Sequence, residues 1–310
     1  MDGILLINKP QDFTSFDVVA VIRKLTKTKK IGHAGTLDPL ATGVLPILIG
    51  KATKFQDLFL NKSKEYKASF KLGIETDTQD ITGEILSENF VPNFKKEEIQ
   101  NALNFFKGKI EQIPPMYSAI KQNGQRLYSL ARQGIEVSRE KRIVEIKSIE
   151  LLDYNQETNE ISILVNCSKG TYIRTLVSDI GEKLGCKAAL TSLLRTQSGS
   201  FYLKDCITLD QVKNFCETDS LHKHIISLEK FFENYKSVKL TAAQGKRFKN
   251  GGNIDLNRIS LRNLQGQKNY KNKEIFKVYA LGEANKALEF LGLGKVNLDK
   301  NELEFFKLLI

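Results

Sequence analysis

The chain has 310 residues, 41% of them apolar, which is enough for one large domain or two domains with substantial cores. Its 47 Lys and Arg outnumber its 36 Asp and Glu, and the formal charge of +11 favours an anionic partner such as nucleic acid or a membrane surface. The first apolar run, Ile4–Ile7, is too short for a membrane span and lacks the basic start of a signal peptide. We therefore expect a cytoplasmic protein that has no membrane association.

Cysteine and histidine usage gives no sign of a metal or redox site. The three histidines and four cysteines include no CxxC pair, so the spacing of zinc ligands is missing. His222 and His224 could share one face of a strand, but solvated surface histidines explain them better. The chain also lacks a GxxxxGK[ST] loop and a GxGxxG turn, which disfavours nucleotide cofactors. We expect no cofactor, no metal and free thiols in a reducing compartment.

The first predicted elements are a strand and a helix. The run Gly3–Asn8 predicts a buried strand, which Pro10 ends. Thr14 and Asp17 resemble a capping box, with Asp in place of Glu, and predict the start of a helix. The apolar face of this helix comprises Val18, Val19, Ile22 and Leu25. Five cations follow within residues 23–30, which suit phosphate contacts but also complement the negative end of the helix dipole.

The most informative stretch is Gly32–Ile47, which reads GHAGTLDPLATGVLPI. Its three glycines and two prolines exclude a long helix and predict a tight loop that leads into an apolar strand, Val44–Ile49. Asp38 lies at the centre of this loop, and His33 precedes it by five residues. An Asp in such a loop commonly caps its own backbone. The apolar neighbours predict instead a partly buried loop, in which the carboxylate needs a cationic partner from elsewhere in the chain.

The segment GHAGTLDPLATGVL resembles the active-site motif of the TruB-type tRNA pseudouridine synthases, which modify uridine 55 in the T loop. The resemblance covers most of residues 1–205. It implies that Asp38 is the catalytic nucleophile and that His33 holds the flipped-out T-loop structure. It also implies an α/β (α+β) fold with a central mixed, mostly antiparallel sheet, a thumb insertion and a small C-terminal β-rich, PUA-like domain. We expect a catalytic domain over residues 1–235, with a thumb at about 110–145, and a PUA-like domain over residues 236–310.

Polar and apolar residues alternate in Lys64–Leu72, as in a strand with one buried face. Tyr66 lies on the apolar face, where a tyrosine is usually a core residue whose hydroxyl finds a partner. The resemblance assigns Tyr66 to stacking on the target uracil. The acidic turn Gly73–Gly83 lacks the ligand order of an EF-hand, so a metal is not predicted there. The resemblance makes Asp80 in this turn a polar contact near the active site.

A helix and an extended arm are expected next. The helix is predicted over Lys95–Phe106. Pro114 and Pro115 then mark an extended segment, and Asn123–Gly134 predicts a turn and a short helix. Interleaved Tyr and Arg side chains suit phosphate contacts and base stacking, although an ordinary amphipathic hairpin has the same pattern. By the resemblance, this arm is the thumb that closes over RNA.

The following strand and helix carry two more candidate site residues. Ile161–Cys167 predicts the strand, and an apolar stripe predicts a helix that ends at Gly185. A cation in the first turn of a helix opposes the helix dipole, so Arg174 is better explained by a specific anion, for which Asp38 is the candidate. Tyr172 and Arg174 are expected to lie off the apolar face. By the resemblance, Arg174 pairs with the catalytic Asp, and Tyr172 lies under the sugar and base.

The segment Ala188–Phe201 resembles the last motif of the catalytic domain and supplies Leu193 as a substrate-binding residue. The family usually has two adjacent arginines after this leucine, whereas the first of them is Leu194 here. We expect that this departure removes a peripheral phosphate contact and leaves the chemistry intact.

The C-terminal residues 240–310 differ in charge, with 13 Lys and Arg against 7 Asp and Glu. This excess suits a small RNA-binding domain. Lys277–Ala280 and Phe290–Val296 are short strand-like pieces that are compatible with the PUA type. The Asn- and Lys-rich segment Arg262–Lys273 is expected to be a mobile loop.

These features predict an isomerase that converts uridine 55 of tRNA to pseudouridine through an aspartate nucleophile and a flipped-out base. The reaction breaks a C–N glycosidic bond and forms a C–C bond, so the base must leave the stack. Asp38 suits the nucleophile, and Arg174 favours its ionised form. Tyr66 and Tyr172 supply stacking faces, and one of them is a candidate for removing the C5 proton if its pKa is perturbed. The expected partner is the T-arm stem-loop of tRNA, with a monomeric enzyme and no obligate protein partner.

Two alternatives stay open. A guide-RNA-dependent synthase of the dyskerin type shares the Asp loop, but such proteins carry basic tails and partner-binding surfaces that are not evident here. An RNA-binding or RNA-chaperone protein without chemistry would use the charge and the thumb alone. The set of Asp38, Tyr66 and Arg174 argues against it, because binding needs cations and not a shielded carboxylate.

Overall fold

The structure is a computed structural model that describes residues 1–122, 124–259, 270–281 and 287–309. Within these residues the strands form a nine-stranded sheet, a five-stranded sheet and two short hairpins. The strands are β1 (Gly3–Lys9), β2 (Ile31–His33), β3 (Thr42–Ile49), β4 (Lys64–Leu72), β5 (Ile74–Thr76), β6 (Ile85–Glu88), β7 (Gly108–Gln112), β8 (Lys121–Gln122), β9 (Gln125–Arg126), β10 (Arg142–Asn155), β11 (Glu160–Cys167), β12 (Ala188–Ser198), β13 (Phe201–Tyr202), β14 (Ser237–Leu240), β15 (Ile254–Asp255), β16 (Ile275–Leu281), β17 (Leu288–Asn297) and β18 (Glu302–Leu308). The α-helices are α1 (Ser15–Thr26), α2 (Gln56–Leu60), α3 (Lys96–Phe105), α4 (Leu127–Ala131), α5 (Ile173–Leu184), α6 (Leu209–Glu217), α7 (Leu228–Phe231) and α8 (Ala242–Lys249).

Strand β12 lies near the centre of the larger sheet, whose order is β1-β3-β12-β4-β11-β10-β7, with β2 beside β3 and β13 beside β12. It pairs in parallel with β3 and antiparallel with β4, and the other described neighbours in this sheet are antiparallel. The sheet is therefore mixed and mostly antiparallel, which confirms the predicted fold class. β12 thus lies between β3, which follows the loop with Asp38, and β4, which carries Tyr66.

The N-terminal elements form as their sequence predicts. β1 is almost wholly buried and pairs antiparallel with β3. At the start of α1, the Thr14 hydroxyl accepts a hydrogen bond from the Asp17 backbone N–H, and the Asp17 carboxylate accepts one from the Thr14 N–H. Such a capping box stabilises a helix by about 1 kcal/mol. The capping box with Asp in place of Glu is thus confirmed.

The main core lies between one face of the larger sheet and the helices α1, α3 and α5. The side chains of β4 alternate as predicted, with Tyr66, Ala68, Phe70 and Leu72 buried and Lys67 and Lys71 exposed. The apolar stripe of α5 is buried on this core at Ile173, Leu176, Val177 and Ile180. Each such aliphatic side chain stabilises the fold by about 1.5–3 kcal/mol. Burial of this stripe fixes the first turn of α5 against the sheet.

A glycine allows the close approach of α5 to the sheet. A Cβ atom on Gly181 would lie 2.3 Å from the backbone nitrogen of Ala188, at the start of β12. A side chain at this position would therefore push the helix away from the strand. The contact sets the distance between the C-terminal half of α5 and the sheet.

The predicted thumb region lies between β7 and β10, which pair at the edge of the larger sheet. The helix predicted before this region is α3, and the short helix predicted within it is α4. Strands β8 and β9 form a small hairpin ahead of α4. Residues 113–141 thus leave the sheet and return to it as one excursion. Their role as a thumb remains a prediction.

The smaller sheet has the order β14-β16-β17-β18-β15. The two strand-like pieces predicted from the sequence lie in β16 and β17, near the middle of this sheet. It has its own apolar cluster, which includes Val238, Phe248 and Val278. A second cluster joins Leu293 of β17 to Phe55 and other residues of the larger unit. The domain boundary at residue 235 and the PUA-like assignment remain predictions. Most of the loop predicted at Arg262–Lys273 lies outside the described residues.

Candidate active site

Asp38 and Arg174 meet between two elements that are distant in the sequence. Asp38 lies in the loop between β2 and β3, and Arg174 lies in the first turn of α5. Arg174 Nη2 is 2.9 Å from Asp38 Oδ2. The Arg174 side chain is only 5% exposed, whereas the Asp38 side chain is 40% exposed. The structure therefore gives Asp38 the predicted cationic partner and leaves part of its carboxylate accessible.

The loop that carries Asp38 is anchored by its apolar residues. Leu37, Leu40 and Ala41 are buried. The Ser15 hydroxyl of α1 accepts a hydrogen bond from the Leu37 N–H at 2.8 Å and donates one to the Leu37 carbonyl at 3.1 Å. The expectation of a partly buried loop is thus confirmed. The Asp38 carboxylate is more exposed than its neighbours, because Leu37, Leu40 and Ala41 are the residues of the loop that pack into the core.

The Arg174 guanidinium also binds two other segments. Nη1 donates to the Thr78 carbonyl at 2.9 Å, and Nη2 donates to the Tyr117 carbonyl at 2.8 Å. The Tyr117 hydroxyl in turn donates to Asp77 at 3.0 Å. One buried cation therefore joins the Asp38 loop, the acidic turn and the root of the predicted thumb.

Arg174 lies beside the apolar stripe of its helix, as expected, but its side chain is nevertheless buried. It is buried together with Thr175, Leu176 and Val177, so the buried surface at the start of α5 extends beyond the apolar stripe. A guanidinium can be buried when carbonyls and carboxylates accept its hydrogen bonds, and here residues outside the helix supply these acceptors.

Asp80 lies on the other side of the same guanidinium. Its carboxylate is buried, and Oδ2 is 3.7 Å from Arg174 Nη1. Oδ1 accepts hydrogen bonds from the Thr78 hydroxyl at 2.8 Å and from the Thr82 N–H and hydroxyl at 3.0 and 2.5 Å. These bonds satisfy a buried charge that would otherwise be unfavourable. In this geometry Asp80 orients Arg174, and a contact of Asp80 with a substrate remains a prediction.

Tyr66 lies opposite Arg195 in the antiparallel pairing of β4 with β12. Its side chain is on the buried face, as predicted. Burial raises the pKa of the Tyr66 hydroxyl above its ordinary value of 10, although the charge of Arg195 and a hydrogen bond from it act in the opposite direction. The phenol is therefore protonated at neutral pH. Its stacking role remains a prediction.

Tyr172 and Leu193 flank this arrangement. Tyr172 caps α5, and its backbone is clamped by Gln112, whose side chain donates to the Tyr172 carbonyl at 3.2 Å and accepts from the Tyr172 N–H at 3.1 Å. Burial raises the pKa of the Tyr172 hydroxyl. Leu193 is buried opposite Ala68 of β4, on the same face of the sheet as Tyr66. The structure thus brings both residues to the side of the sheet that carries the Asp38 loop.

His33 ends β2 at the start of the motif. Its Nδ1 atom is buried and has no hydrogen-bond partner within the described residues. Burial, together with the charge of Arg195, lowers the pKa of His33 below its ordinary value of 6.5, so the neutral imidazole predominates at neutral pH. The Gln56 side chain donates to the His33 carbonyl at 2.8 Å, which holds the residue in place.

Two buried cations that sequence reasoning missed also support the loop. Lys9 is fully buried, and its ammonium donates to the carbonyls of Pro10, Phe13 and Pro39 at 2.8, 2.5 and 3.2 Å. An ammonium has three donors, and all three are used here. Pro39 directly follows Asp38, so Lys9 fixes the loop from one side. The signal was available, because a lysine that ends a buried strand needs acceptors.

Arg195 holds the same loop from the other side. Its side chain is 1% exposed. Nε donates to the Val44 carbonyl at 2.7 Å, Nη2 to the Gly35 carbonyl at 2.9 Å and Nη1 to the Thr36 carbonyl at 3.4 Å. The sequence placed Arg195 in a family motif but gave it no partner.

Lys9 should make the stability of the protein depend on pH. Burial lowers the pKa of Lys9 to about 8, below the 10.5 of an unfolded lysine. Between these values the unfolded chain binds more protons, so the free energy of unfolding rises with pH through this residue. The stability difference between wild type and Lys9→Met should shift in favour of the wild type by about 2–3 kcal/mol from pH 7.5 to pH 10. Urea unfolding at both pH values measures it, and an unchanged difference would contradict the prediction.

The departure at Leu194 lies away from the site. Leu194 pairs with Lys67 of β4, whereas Leu193 and Arg195 pair with Ala68 and Tyr66. Because successive residues of a strand face opposite sides, Leu194 lies on the sheet face opposite to Tyr66. A missing arginine at this position therefore leaves the face with Asp38 unchanged. The loss of a phosphate contact there remains a prediction.

In the part of the chain that the structure describes, no group of three or more His, Cys, Asp or Glu side chains is arranged to hold a metal ion. The helices of this part include none that is long and apolar enough to cross a membrane.

The chain is similar to known pseudouridine synthases along its whole length. Residues 23–173 match the N-terminal domain model of the TruB family pseudouridylate synthases, and residues 174–233 match the tRNA pseudouridylate synthase B C-terminal domain. The tRNA pseudouridine synthase B of Clostridium perfringens (strain 13) is 45% identical over 310 residues, which are 100% of this chain and 99% of that protein. The corresponding protein of Bacillus subtilis (strain 168) is 44% identical over 82% of this chain and 84% of its own length.

Solved structures agree on the fold. A chain of a Cbf5-Nop10-Gar1 complex superposes with a TM-score of 0.70 at 25% identity and covers 99% of this chain and 85% of that one. A chain of an H/ACA RNP bound to a substrate RNA that contains 2′-deoxyuridine gives the same TM-score at 24% identity. The full-length sequence similarity and the shared fold show that the chain belongs to the TruB family of tRNA pseudouridine synthases and is an isomerase.

Proposed function

We propose that the protein isomerises uridine 55 in the T loop of tRNA, with Asp38 as the nucleophile and the target base flipped out of its stack. The Asp38–Arg174 pair carries this proposal. A nucleophilic carboxylate must be ionised and reachable, and Asp38 is held at 2.9 Å by a buried guanidinium while 40% of its side chain is exposed. A binding protein has no need of a carboxylate anchored in this way.

The relatives support tRNA as the substrate class. Proteins that are 42–45% identical over nearly the whole chain are tRNA pseudouridine synthases B. The formal charge of +11 suits a polyanion, because lysines and arginines that neutralise phosphates release bound counterions. The T-arm stem-loop is the part of tRNA that presents uridine 55. The sequence identity to these relatives, 45% over the full chain, exceeds the 25% identity to the chain of the Cbf5-Nop10-Gar1 complex, which favours tRNA as the substrate.

The reaction needs a flipped base. The C1′–N1 bond must break, the uracil must turn, and a C1′–C5 bond must form while the C5 proton leaves. Tyr66 and Leu193 lie on one face of the sheet, and Tyr172 immediately precedes α5, whose first turn carries Arg174, the partner of Asp38. Their aromatic and apolar surfaces suit an extruded base. No described residue gives the buried Nδ1 atom of His33 a hydrogen-bond partner, which suits a hydrogen bond that forms only when the RNA is bound.

Tyr66→Phe tests the role of the phenol. The ring and its stacking face remain, so affinity for the T-arm should change less than about 3-fold. The rate of the chemical step should fall roughly 10²-fold or more, because a positioned proton donor and acceptor is lost. Single-turnover rates and dissociation constants measure the two effects separately. A fully active Phe variant would show that the hydroxyl has no part in the reaction.

The same variant gives a second readout in the dependence of rate on pH. Burial raises the pKa of Tyr66 above its ordinary value of 10. Below pH 10, the rates of the wild type and of Tyr66→Phe should therefore depend on pH in the same way. A change near neutral pH that disappears in the variant would contradict this protonation state.

The function itself is tested by tritium release. Two tRNA transcripts are prepared that carry C5-tritiated uridine either at position 55 alone or at another single position. Release of one tritium per molecule from the first transcript and none from the second would support the proposal. No release from either, with the tRNA still bound, would refute the catalytic assignment. Release that requires an added guide RNA would favour the alternative synthase class.

A further inference from the structure

Arg195 is a fully buried cation that the proposed chemistry does not yet use. Its side chain is 1% exposed, and no carboxylate of the described residues lies within ion-pair distance of its guanidinium. Three backbone carbonyls accept its hydrogen bonds, those of Gly35, Thr36 and Val44. Burying a charge that carbonyls alone balance is unfavourable, so a buried arginine of this kind calls for an explanation beyond packing.

Arg195 lies between two parts of the proposed site. Gly35 and Thr36 are just before Asp38 in the same loop, so the guanidinium holds the nucleophile's loop. In the sheet, Arg195 is the register partner of Tyr66. Directly paired residues on antiparallel strands have Cβ atoms about 5 Å apart on the same face. The Arg195 side chain therefore holds the Asp38 loop and lies on the same face of the sheet as the neighbouring Tyr66 side chain.

The backbone of Arg195 is held in place as firmly as its side chain. It pairs with Gly43 of β3, and a Cβ atom on Gly43 would lie 2.3 Å from the Arg195 carbonyl oxygen. Gly43 also has a φ of +100°, which L-residues with side chains rarely adopt. The close approach of β3 to β12 at this point thus depends on glycine. It fixes the backbone position from which the Arg195 side chain extends.

The chemistry of the two groups determines how they can interact. A guanidinium has only donors, so the Tyr66 hydroxyl oxygen can only accept from Arg195. The hydroxyl proton is then free for another acceptor. A phenolate formed opposite Arg195 in the sheet would gain a full opposite charge beside the guanidinium.

We propose that Arg195 is a positioning residue that makes Tyr66 a proton shuttle for the base while it holds the Asp38 loop. As the C1′–N1 bond breaks, the Asp38 carboxylate forms an ester bond to C1′, the electron pair of the broken bond stays on N1, and the Tyr66 O–H gives its proton to N1. The phenolate is stabilised by Arg195. C5 then attacks C1′, so that the C1′–C5 bond forms while the ester bond breaks and its electron pair returns to Asp38. The C5–H bond breaks last, and its proton restores the Tyr66 hydroxyl. The net result is one proton moved from C5 to N1, with the enzyme unchanged. This inference rests on the proposed function.

A double-mutant cycle tests the coupling between the two residues. Arg195→Lys keeps a positive charge but cannot reproduce the three carbonyl hydrogen bonds of the guanidinium. In the presence of Tyr66 it should lower the single-turnover rate roughly 10- to 100-fold, with T-arm affinity within about 3-fold. In the Tyr66→Phe background the same change should lower the rate by a factor at least about 5-fold smaller, because only the support of the Asp38 loop is then lost. An equal factor in both backgrounds, or no effect on the rate, would overturn the proposal.

A second measurement needs no change at Arg195. In protein labelled with ¹⁵N-arginine, the guanidinium resonances of Arg195 are compared between wild type and Tyr66→Phe. The proposal expects that they shift and exchange faster with solvent when the acceptor oxygen is removed, while those of Arg174 stay in place. Unchanged Arg195 resonances would overturn it, even if Arg195→Lys does not fold. This comparison uses the free protein, so it stands apart from tritium release, whose failure in the wild type would refute the proposed function instead.

Discussion

Asp38→Asn should abolish pseudouridine formation and leave the protein folded. Asn has nearly the same shape and can still accept a hydrogen bond from Arg174, which keeps its contacts with Thr78 and Tyr117. An amide cannot act as the nucleophile, so the single-turnover rate should fall roughly 10³-fold or more. Because the Asp38 side chain is partly exposed, the free energy of unfolding should change by less than about 2 kcal/mol.

The measurement is tritium release with enzyme in excess over a T-arm substrate, together with the dissociation constant of the same RNA. Asp57→Asn serves as the matched control, since Asp57 is a carboxylate of α2 that pairs with Lys307 on the protein surface. The control should keep the wild-type rate. A rate for Asp38→Asn within about 10-fold of wild type would exclude Asp38 as the nucleophile.

Arg174→Met should have the largest effect on stability. The change removes the cation between Asp38 and Asp80 and leaves the Tyr117 and Thr78 carbonyls without their donor. Loss of one partner from a buried ion pair destabilises by about 3–5 kcal/mol, because the remaining charge stays buried. Turnover should also be lost, since the carboxylate of Asp38 is no longer oriented. Urea unfolding and tritium release measure the two effects.

The unpaired charge can be tested directly. If the buried Asp80 carboxylate causes much of the loss, Asp80→Asn should recover part of the stability in the Arg174→Met background, although it destabilises the wild type. Turnover should stay absent in the double variant. A double variant that is less stable than Arg174→Met alone would show that lost packing, and not the unpaired charge, dominates.

The sequence was sufficient for the pairing of Asp38 with Arg174. An arginine in the first turn of a helix opposes the dipole, which pointed to an anion, and the apolar loop required a cation for Asp38. The alternation in β4 likewise predicted which face Tyr66 occupies. Burial of Arg174 could not be predicted, because position within a helix says nothing about the segments that pack over it. Those segments, around Thr78 and Tyr117, supply carbonyls that have no side-chain signature.

The partners of Lys9 and Arg195 could not be predicted for the same reason, although the position of Lys9 at the end of a buried strand showed that it needs acceptors. The Lys9 ammonium and the Arg195 guanidinium each donate to three backbone oxygens. Every residue type carries such an oxygen, so no motif marks the acceptor. Only the fold brings these carbonyls together around a cation. Leu194 is different, since the two-residue period of a strand would have placed it opposite to Leu193.

Because Tyr117 is attached to Arg174, the part of the chain that would recognise RNA can change in evolution without a change in the catalytic residues. The carbonyl and hydroxyl of Tyr117 are both fixed, on Arg174 and on Asp77, near the start of the excursion that follows β7. Insertions, deletions or exchange of the outer part of this arm therefore leave the anchor and the carboxylate of Asp38 where they are. The arm can change its RNA contacts as an interchangeable module, and a grafted arm that preserves Tyr117 offers a route to synthases with new RNA targets.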